Sequence, residues 1–281
     1  MIFYFGDSGK LNTEIENMSE NSGILMSYFY LQKKKNLSGI SYPIFLDSGA
    51  FSGFTQKKEI ELQKYIDFIK SKPLSITTYA NLDVIGDDKE TWKNQLRMEK
   101  AGLSPLPVYH LNDNPMYLDK YIEKYNYICL GGLAKGFGAT QRIQFLDRCF
   151  ARIESSTKQI KVHGFGVTDL QILHRYSWHS VDSTTHSVAA RFGEVFILTA
   201  SNDLLRVTVS DKRKKDKKNL QHFKNICSIL KVQIEKAGYK YEDIIENTEI
   251  RVLYNAKKLL EYTENKEKQN IIKSKIKPFF S

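Results

Sequence analysis

The sequence predicts an α/β fold, a (β/α)8 barrel with helical additions at its C-terminal end and no zinc subdomain. Three observations carry this. Apolar runs alternate with amphipathic stretches through most of the 281 residues, the pattern of parallel strands joined by right-handed helical crossovers. The runs are rich in β-branched and aromatic residues without strict alternation, as in strands covered on both faces. Five of them, FLDSGAF, YANLDVIGD, CLGGLAKG, VHGFGVTD and SVDSTTHS, break into a polar tip holding an acid or a glycine. Barrels of this kind gather their chemistry at the C-terminal strand ends, so the pattern reads as an enzyme.

In chain order the expected strands are MIFYF, YPIFLDS, SITTYANLDVI, LPVYHL, YICLGGL, IKVHGFGV, HSVDST and EVFILTA. Helices are expected over 57–71, 87–102, 115–125, 139–156 and 168–176. In the first, Ile60, Leu62, Tyr65, Ile66 and Ile69 form one apolar stripe. Beyond about residue 205 the spacing turns helical, with Leu220, Phe223, Ile226, Ile229, Leu230 and Ile234 on one face. No internal repeat or low-complexity linker interrupts the chain. The division expected is a barrel over 1–208 and a basic helical extension over 209–281 packed on it.

Composition narrows the function classes. No stretch approaches the ~18 uncharged apolar residues of a membrane span. MIFYFGDSGK lacks the basic start of a signal peptide. Cys129, Cys149 and Cys227 are widely spaced and form no Cys-x-x-Cys pair, so neither a disulfide framework nor a zinc site is expected, and a reducing cytoplasm fits. Residues 209–281 hold 18 Lys and Arg against 10 Asp and Glu, whereas residues 1–208 hold 24 against 22. Six cations fall within 211–218: Lys212, Arg213, Lys214, Lys215, Lys217 and Lys218. A near-neutral body with a basic end points to a polyanionic partner, although lysines also simply solvate exposed helices.

Each polar tip has an ordinary reading by itself. Asp47-Ser48-Gly49 fits an Asx-type turn. Asp83 is placed to cap a following helix, though Asp87 and Asp88 are better placed. Asp182 precedes Ser183-Thr184-Thr185, which reads as a helix start. Gly131-Gly132 and Gly164-x-Gly166 fit tight turns and match no dinucleotide or phosphate-loop fingerprint, so no nucleotide cofactor is expected. His110, His163, His179 and His186 show no His-x-His or His-x-x-x-His spacing, so no metal is expected either. Arg191 suits a phosphate contact and a salt bridge equally.

Taken in order, Asp47-Ser48-Gly49-Ala50-Phe51, Asp83, Gly131-Gly132-Leu133, His163-Gly164-Phe165-Gly166 and Asp182 resemble the motif series of the tRNA-guanine transglycosylase superfamily. The likeness covers roughly residues 40–200. Asp-Ser-Gly-Ala-Phe-Ser and Val-Asp-Ser-Thr are more similar to its DNA-modifying branch, the DpdA-type DNA-guanine transglycosylases of phages and bacteria. The chain departs from the tRNA enzymes in lacking their Cys3His zinc set. It has Ser183-Thr184-Thr185-His186 where they have Pro-Thr-Arg, and His110 where the bacterial enzymes have a base-reading Gln.

The resemblance implies exchange of guanine in DNA for a free 7-deazaguanine base of the preQ0 type, with no other cofactor. Asp182 would be the nucleophile on the sugar and Asp47 the proton-handling acid. Asp83 would accept the N–H donors of the base, with Ser48, His110, Gly131, Gly132, Leu133 and Gly164 completing the base site. Phe51 and the His163 region would sandwich the ring, a stacking contact worth ~1–3 kcal/mol. Arg191 and the 212–218 cations would bind phosphates. The target base must be flipped or single-stranded to reach such a pocket. Exchange on tRNA, and a barrel that binds nucleic acid without catalysis, are the alternatives.

Overall fold

The computed structural model describes residues 1–34, 37, 40–71, 74–133, 138–209 and 220–276. The 212–218 cations lie outside the described residues. Two compact units form: Ile2–Asp7 with Gly23–Ser183, and Met1, Ser8–Ser22 and Thr184–Ser281.

The strands are β1 (Ile2–Gly6), β2 (Ser22–Ser27), β3 (Ile44–Asp47), β4 (Ile76–Tyr79), β5 (Val108–His110), β6 (Tyr127–Gly131), β7 (Lys161–Gly164) and β8 (Ser180–Ser183). They form one eight-stranded parallel sheet in the order β4-β3-β2-β1-β8-β7-β6-β5. Among the described residues an isolated parallel bridge pairs Ala80, just past β4, with Leu106, just before β5. There Asn81 N donates to Leu106 O at 2.9 Å and Leu106 N to Tyr79 O at 2.9 Å.

The helices between β1 and β8 are α1 (Asn12–Glu16), α2 (Tyr28–Leu31), α3 (Ala50–Thr55), α4 (Leu62–Ser71), α5 (Asp88–Lys100), α6 (Pro115–Lys124), α7 (Ala139–Glu154) and α8 (Leu170–Arg175). Local chemistry sets several boundaries. Asp87 caps α5 by accepting from Glu90 N at 2.8 Å, which leaves Asp83 free of that duty. Asn114 caps α6, and Pro115 occupies its first turn, where a missing N–H costs nothing.

The concave face of the sheet is filled by Phe45, Ala80, Val108 and Cys129, with Tyr4, Leu25, Leu106 and Phe165 packed against them. Phe45 on β3 lies 4.6 Å, centroid to centroid, from His163 on β7. Tyr4 on β1 lies 5.2 Å from Phe45 and 5.9 Å from His163. β3 and β7 stand four places apart in the sheet order, so the sheet is strongly curled around these rings. Gly23 on β2 makes the room: a Cβ there would stand 2.6 Å from the Tyr4 ring.

Two strands differ from expectation. SGILMS, within no expected element, is β2; a glycine and two serines in a six-residue run hide its β signal. EVFILTA, expected to continue the parallel alternation, instead forms β9 (Glu194–Leu198), antiparallel to β10 (Leu204–Thr208). Only five residues separate those two strands, enough for a hairpin and too few for a parallel crossover. In this second unit α9 (Thr185–Arg191), α10 (Leu220–Lys236), α11 (Tyr241–Glu246) and α12 (Thr248–Ile276) accompany the hairpin. Val195, Ile197, Leu230, Ile234, Ile244 and Tyr254 share one core there. Among the described residues no helix is long and apolar enough to cross a membrane.

Phe45→Ala should cost about 3–5 kcal/mol of unfolding free energy, because it empties the layer on which the rings rest. Phe51→Ala, at a site 57% exposed, should cost under about 0.5 kcal/mol. Urea unfolding of both variants measures the contrast.

Candidate active site

Three carboxylates stand toward the C-terminal ends of strands in the curled sheet: Asp47 ends β3, Asp83 lies four residues beyond the neighbouring β4, and Asp182 lies in β8, three places from β3 in the sheet order. Asp83 and Asp182 are buried. Asp47 is held by a donor from its own strand end, whereas Asp83 and Asp182 are held by donors from the ends of neighbouring strands.

Asp47 Oδ2 accepts from Gly49 N at 3.0 Å, the Asx turn expected from Asp47-Ser48-Gly49. Gly49 has φ +81°, and a Cβ on it would stand 2.4 Å from both Phe29 Cβ and Ser27 Oγ, so glycine is required twice over. Ser48 is fully buried. Its Oγ donates to Asp83 Oδ1 at 3.0 Å and accepts from Ala50 N at 3.2 Å. The first motif thus supplies one acid and anchors the second.

The other oxygen of Asp83, Oδ2, faces His110 Nε2 at 3.2 Å. His110 N donates to Asp113 Oδ2 at 2.7 Å, and the His110 ring keeps Asp113 within 3.8 Å of Nδ1. Burial alone would lower the His110 pKa; the hydrogen bond and charge of Asp83, with Asp113 and Asp47 behind it, outweigh burial and raise it. His110 is therefore cationic to higher pH than usual and offsets charge among the acids. Gly131 makes space for it: a Cβ there would fall 2.5 Å from His110 Cδ2.

Asp182 Oδ1 accepts from Gly166 N at 2.9 Å and lies 3.4 Å from His163 Nε2. His163 is wholly buried, its ring edge-on to Phe165 at 4.5 Å and tilted against Phe45. Burial lowers its pKa, so its ring is neutral at neutral pH. It supports Asp182 and presents no free face to a ligand. Phe165 keeps partial exposure on the concave side.

The acids act on one another. Burial, then the charges of Asp83 and Asp182, raise the Asp47 pKa from 3.8 to about 7, against the opposing pull of the Gly49 and Ser48 amides. At neutral pH Asp47 therefore exchanges a proton readily beside two other carboxyl groups, the arrangement of a general acid and base.

The remaining expected residues fall as follows. Phe51 is the second residue of α3 and is exposed. Gly132 turns with φ +76° against Leu111. Leu133 is buried and its carbonyl accepts from Arg142 Nη1 at 2.9 Å. Gly164 is turned to the helix side of the sheet, where Trp178 and Val167 fill the space a Cβ would need. His186 and Arg191 belong to the second unit; Arg191 is exposed, and burial lowers the His186 pKa to about 3. Sequence reading missed Asp113, Tyr127 and Ser180. Asp113 carried a usable signal, an acid three residues after a strand-end histidine. Among the described residues no group of three or more His, Cys, Asp or Glu has the disposition of a metal site. No protein-family model matches the sequence, and no curated protein matches it.

The raised Asp47 pKa has a signed consequence. The folded state holds this proton up to about pH 7 whereas the unfolded chain releases it near 3.8, so stability contributed here falls as pH rises between those values. Asp47→Asn should flatten that slope and gain stability above pH 7, on the order of 2 kcal/mol. Chemical denaturation of both proteins from pH 4 to 8 reads the difference; parallel curves would contradict the assignment.

Proposed function

We propose that this chain exchanges guanine in DNA for a 7-deazaguanine base through a covalent aspartyl–sugar intermediate. The observation that carries the reading is the convergence of Asp47, Asp83 and Asp182 on one end of a curled parallel sheet, with Asp47 near neutrality in its proton affinity. The reading also takes the sheet as a (β/α)8 barrel, its seam closed by the Ala80–Leu106 bridge.

In the first half-reaction Asp182 Oδ2 attacks C1′ of the target nucleotide. The C1′–N9 bond breaks, its electron pair leaves on guanine, and Asp47 supplies the proton that neutralises the departing base. In the second half-reaction Asp47, now ionised, takes the N9 proton of the incoming base. That nitrogen attacks C1′, and the ester to Asp182 breaks. Nucleophilic catalysis splits a hard displacement into two easier ones and never severs the strand.

Asp83 reads the base edge. Its oxygens are already oriented by Ser48 Oγ and His110 Nε2. Each retains a lone pair for a ring N–H or amino donor, and pre-orientation lowers the entropic cost of binding. The exposed Phe51 is available to stack on the base. DNA is the polymer named because Asp-Ser-Gly-Ala-Phe-Ser and Val-Asp-Ser-Thr resemble the DNA-modifying branch, and Ser183-Thr184-Thr185-His186 stands where the tRNA enzymes have Pro-Thr-Arg. The basic 212–218 segment supplies phosphate attraction.

Incubation with DNA, or separately tRNA, and a labelled 7-deazaguanine tests the reading. Label should enter DNA, and Asp182→Asn should lower incorporation by about 10³-fold or more. Label confined to tRNA would overturn the polymer assignment, and label in neither would overturn the exchange activity. Asp47→Asn should lower the rate by about 10²–10⁴-fold and remove the pH dependence near neutrality from the residual activity.

A further inference from the structure

Behind Asp182 runs a chain of side chains that the two half-reactions do not use. The Tyr127 hydroxyl lies 2.6 Å from Ser180 Oγ. Ser180 Oγ lies 2.7 Å from His163 Nδ1. His163 Nε2 faces Asp182 Oδ1 at 3.4 Å, outside hydrogen-bond geometry, and is otherwise a buried nitrogen with no hydrogen-bond partner. Ser180 and His163 are wholly inaccessible to solvent. Three strands contribute: β6 gives Tyr127, β7 gives His163, and β8 gives Ser180 and Asp182.

The direction of the hydrogen bonds follows from what the dry interior permits. A lone pair on Nε2 would confront a carboxylate oxygen with no water between them, which is repulsive. A proton on Nε2 turns that contact into attraction. Nδ1 must then accept, so Ser180 donates to it, and Ser180 Oγ in turn accepts from the Tyr127 hydroxyl. In this order Tyr127 donates to Ser180, Ser180 donates to Nδ1, and the Nε2 proton is directed at the Asp182 carboxylate.

We infer that His163 is the positioning residue of the nucleophile. The Tyr127–Ser180 pair fixes its Nε2–H tautomer, and that N–H, with the Gly166 amide, holds Asp182 Oδ1 and leaves Oδ2 as the attacking oxygen. Among the described residues Oδ2 receives no hydrogen bond, in keeping with this division of labour. A carboxylate with one oxygen held and one free attacks from a defined direction, and misorientation of such a group by about 1 Å costs on the order of 10²-fold in rate. The 3.4 Å separation is the resting geometry; catalytic hydrogen bonds are often long before substrate is bound and tighten with it.

The inference rests on the proposed role of Asp182, yet part of its test does not. In the full chain with 15N-labelled histidine, two-bond proton–nitrogen spectra should show His163 with a protonated Nε2 and a bare Nδ1, the signal being assigned by its loss in His163→Gln. Ser180→Ala should shift that tautomer balance. A protonated Nδ1, or a doubly protonated ring at neutral pH, would overturn the inference whether or not the protein exchanges bases. Kinetics then separate positioning from mere packing. Gln offers an N–H near the Nε2 position, so His163→Gln should keep kcat within about 10-fold; Asn reaches only the Nδ1 position, so His163→Asn should lose about 10²-fold in kcat with KM nearly unchanged. Equal activity in the two variants, or equal loss paired with equal loss of thermal stability, would overturn it. Absence of exchange in the unaltered protein would bear on the proposed function, while the spectra would still decide the tautomer.

Discussion

Like charges confined in a space with little water are the constraint around which this sheet is built. Ionised carboxylates that share such a site repel, and each also loses hydration. The fold answers with donors at the strand ends, the Gly49 amide for Asp47, Ser48 for Asp83 and the Gly166 amide for Asp182. It adds His110, whose proton affinity Asp83 raises, and leaves one acid, Asp47, readily protonated at neutral pH. Asp47 is answered within its own turn, while Asp83 and Asp182 depend on donors from other strand ends. The backbone and hydroxyl donors come from the one or two residues that follow β3 and β7, so each short motif serves an acid of its own or of another strand.

Those donors are placed accurately only if the strand ends are. That task falls to the layer beneath, where Tyr4, Phe45, His163 and Phe165 meet ring against ring across the concave face. His163 belongs to both layers, an aromatic packing element on its faces and a polar partner at its edge. Dense packing of this kind resists small shifts, because interiors offer little empty space to take up a displacement.

Much of this was legible in the sequence. Acids at apolar-run ends, an acid-turn-glycine triplet and a better-placed helix cap at Asp87 are local signals, and they single out Asp47, Asp83 and Asp182 in the sequence alone. What escaped depends on pairing between distant segments. β2 is hidden because Gly23 serves the Tyr4 ring of a neighbouring strand, so the residue that weakens its β signal is the one its position demands. EVFILTA reads as a strand either way, and only the short loop to β10 makes it antiparallel. Ser180 and Tyr127 look unremarkable in isolation; their meaning arises from strands β6, β7 and β8 lying in register, with His163 opposite Ser180.

The space relations at Gly131 and His110 carry a last consequence, for how such a site changes over generations. The two positions are directly paired on adjacent strands, and the imidazole occupies the volume that any side chain at 131 would claim. They form a single unit of fixed combined size: enlargement at 131 is tolerable only after reduction at 110, and the reverse order passes through a misfitted intermediate. Sequence drift at this edge of the site is therefore epistatic and directional. A change in what the second carboxylate is asked to recognise would begin at residue 110, with residue 131 following.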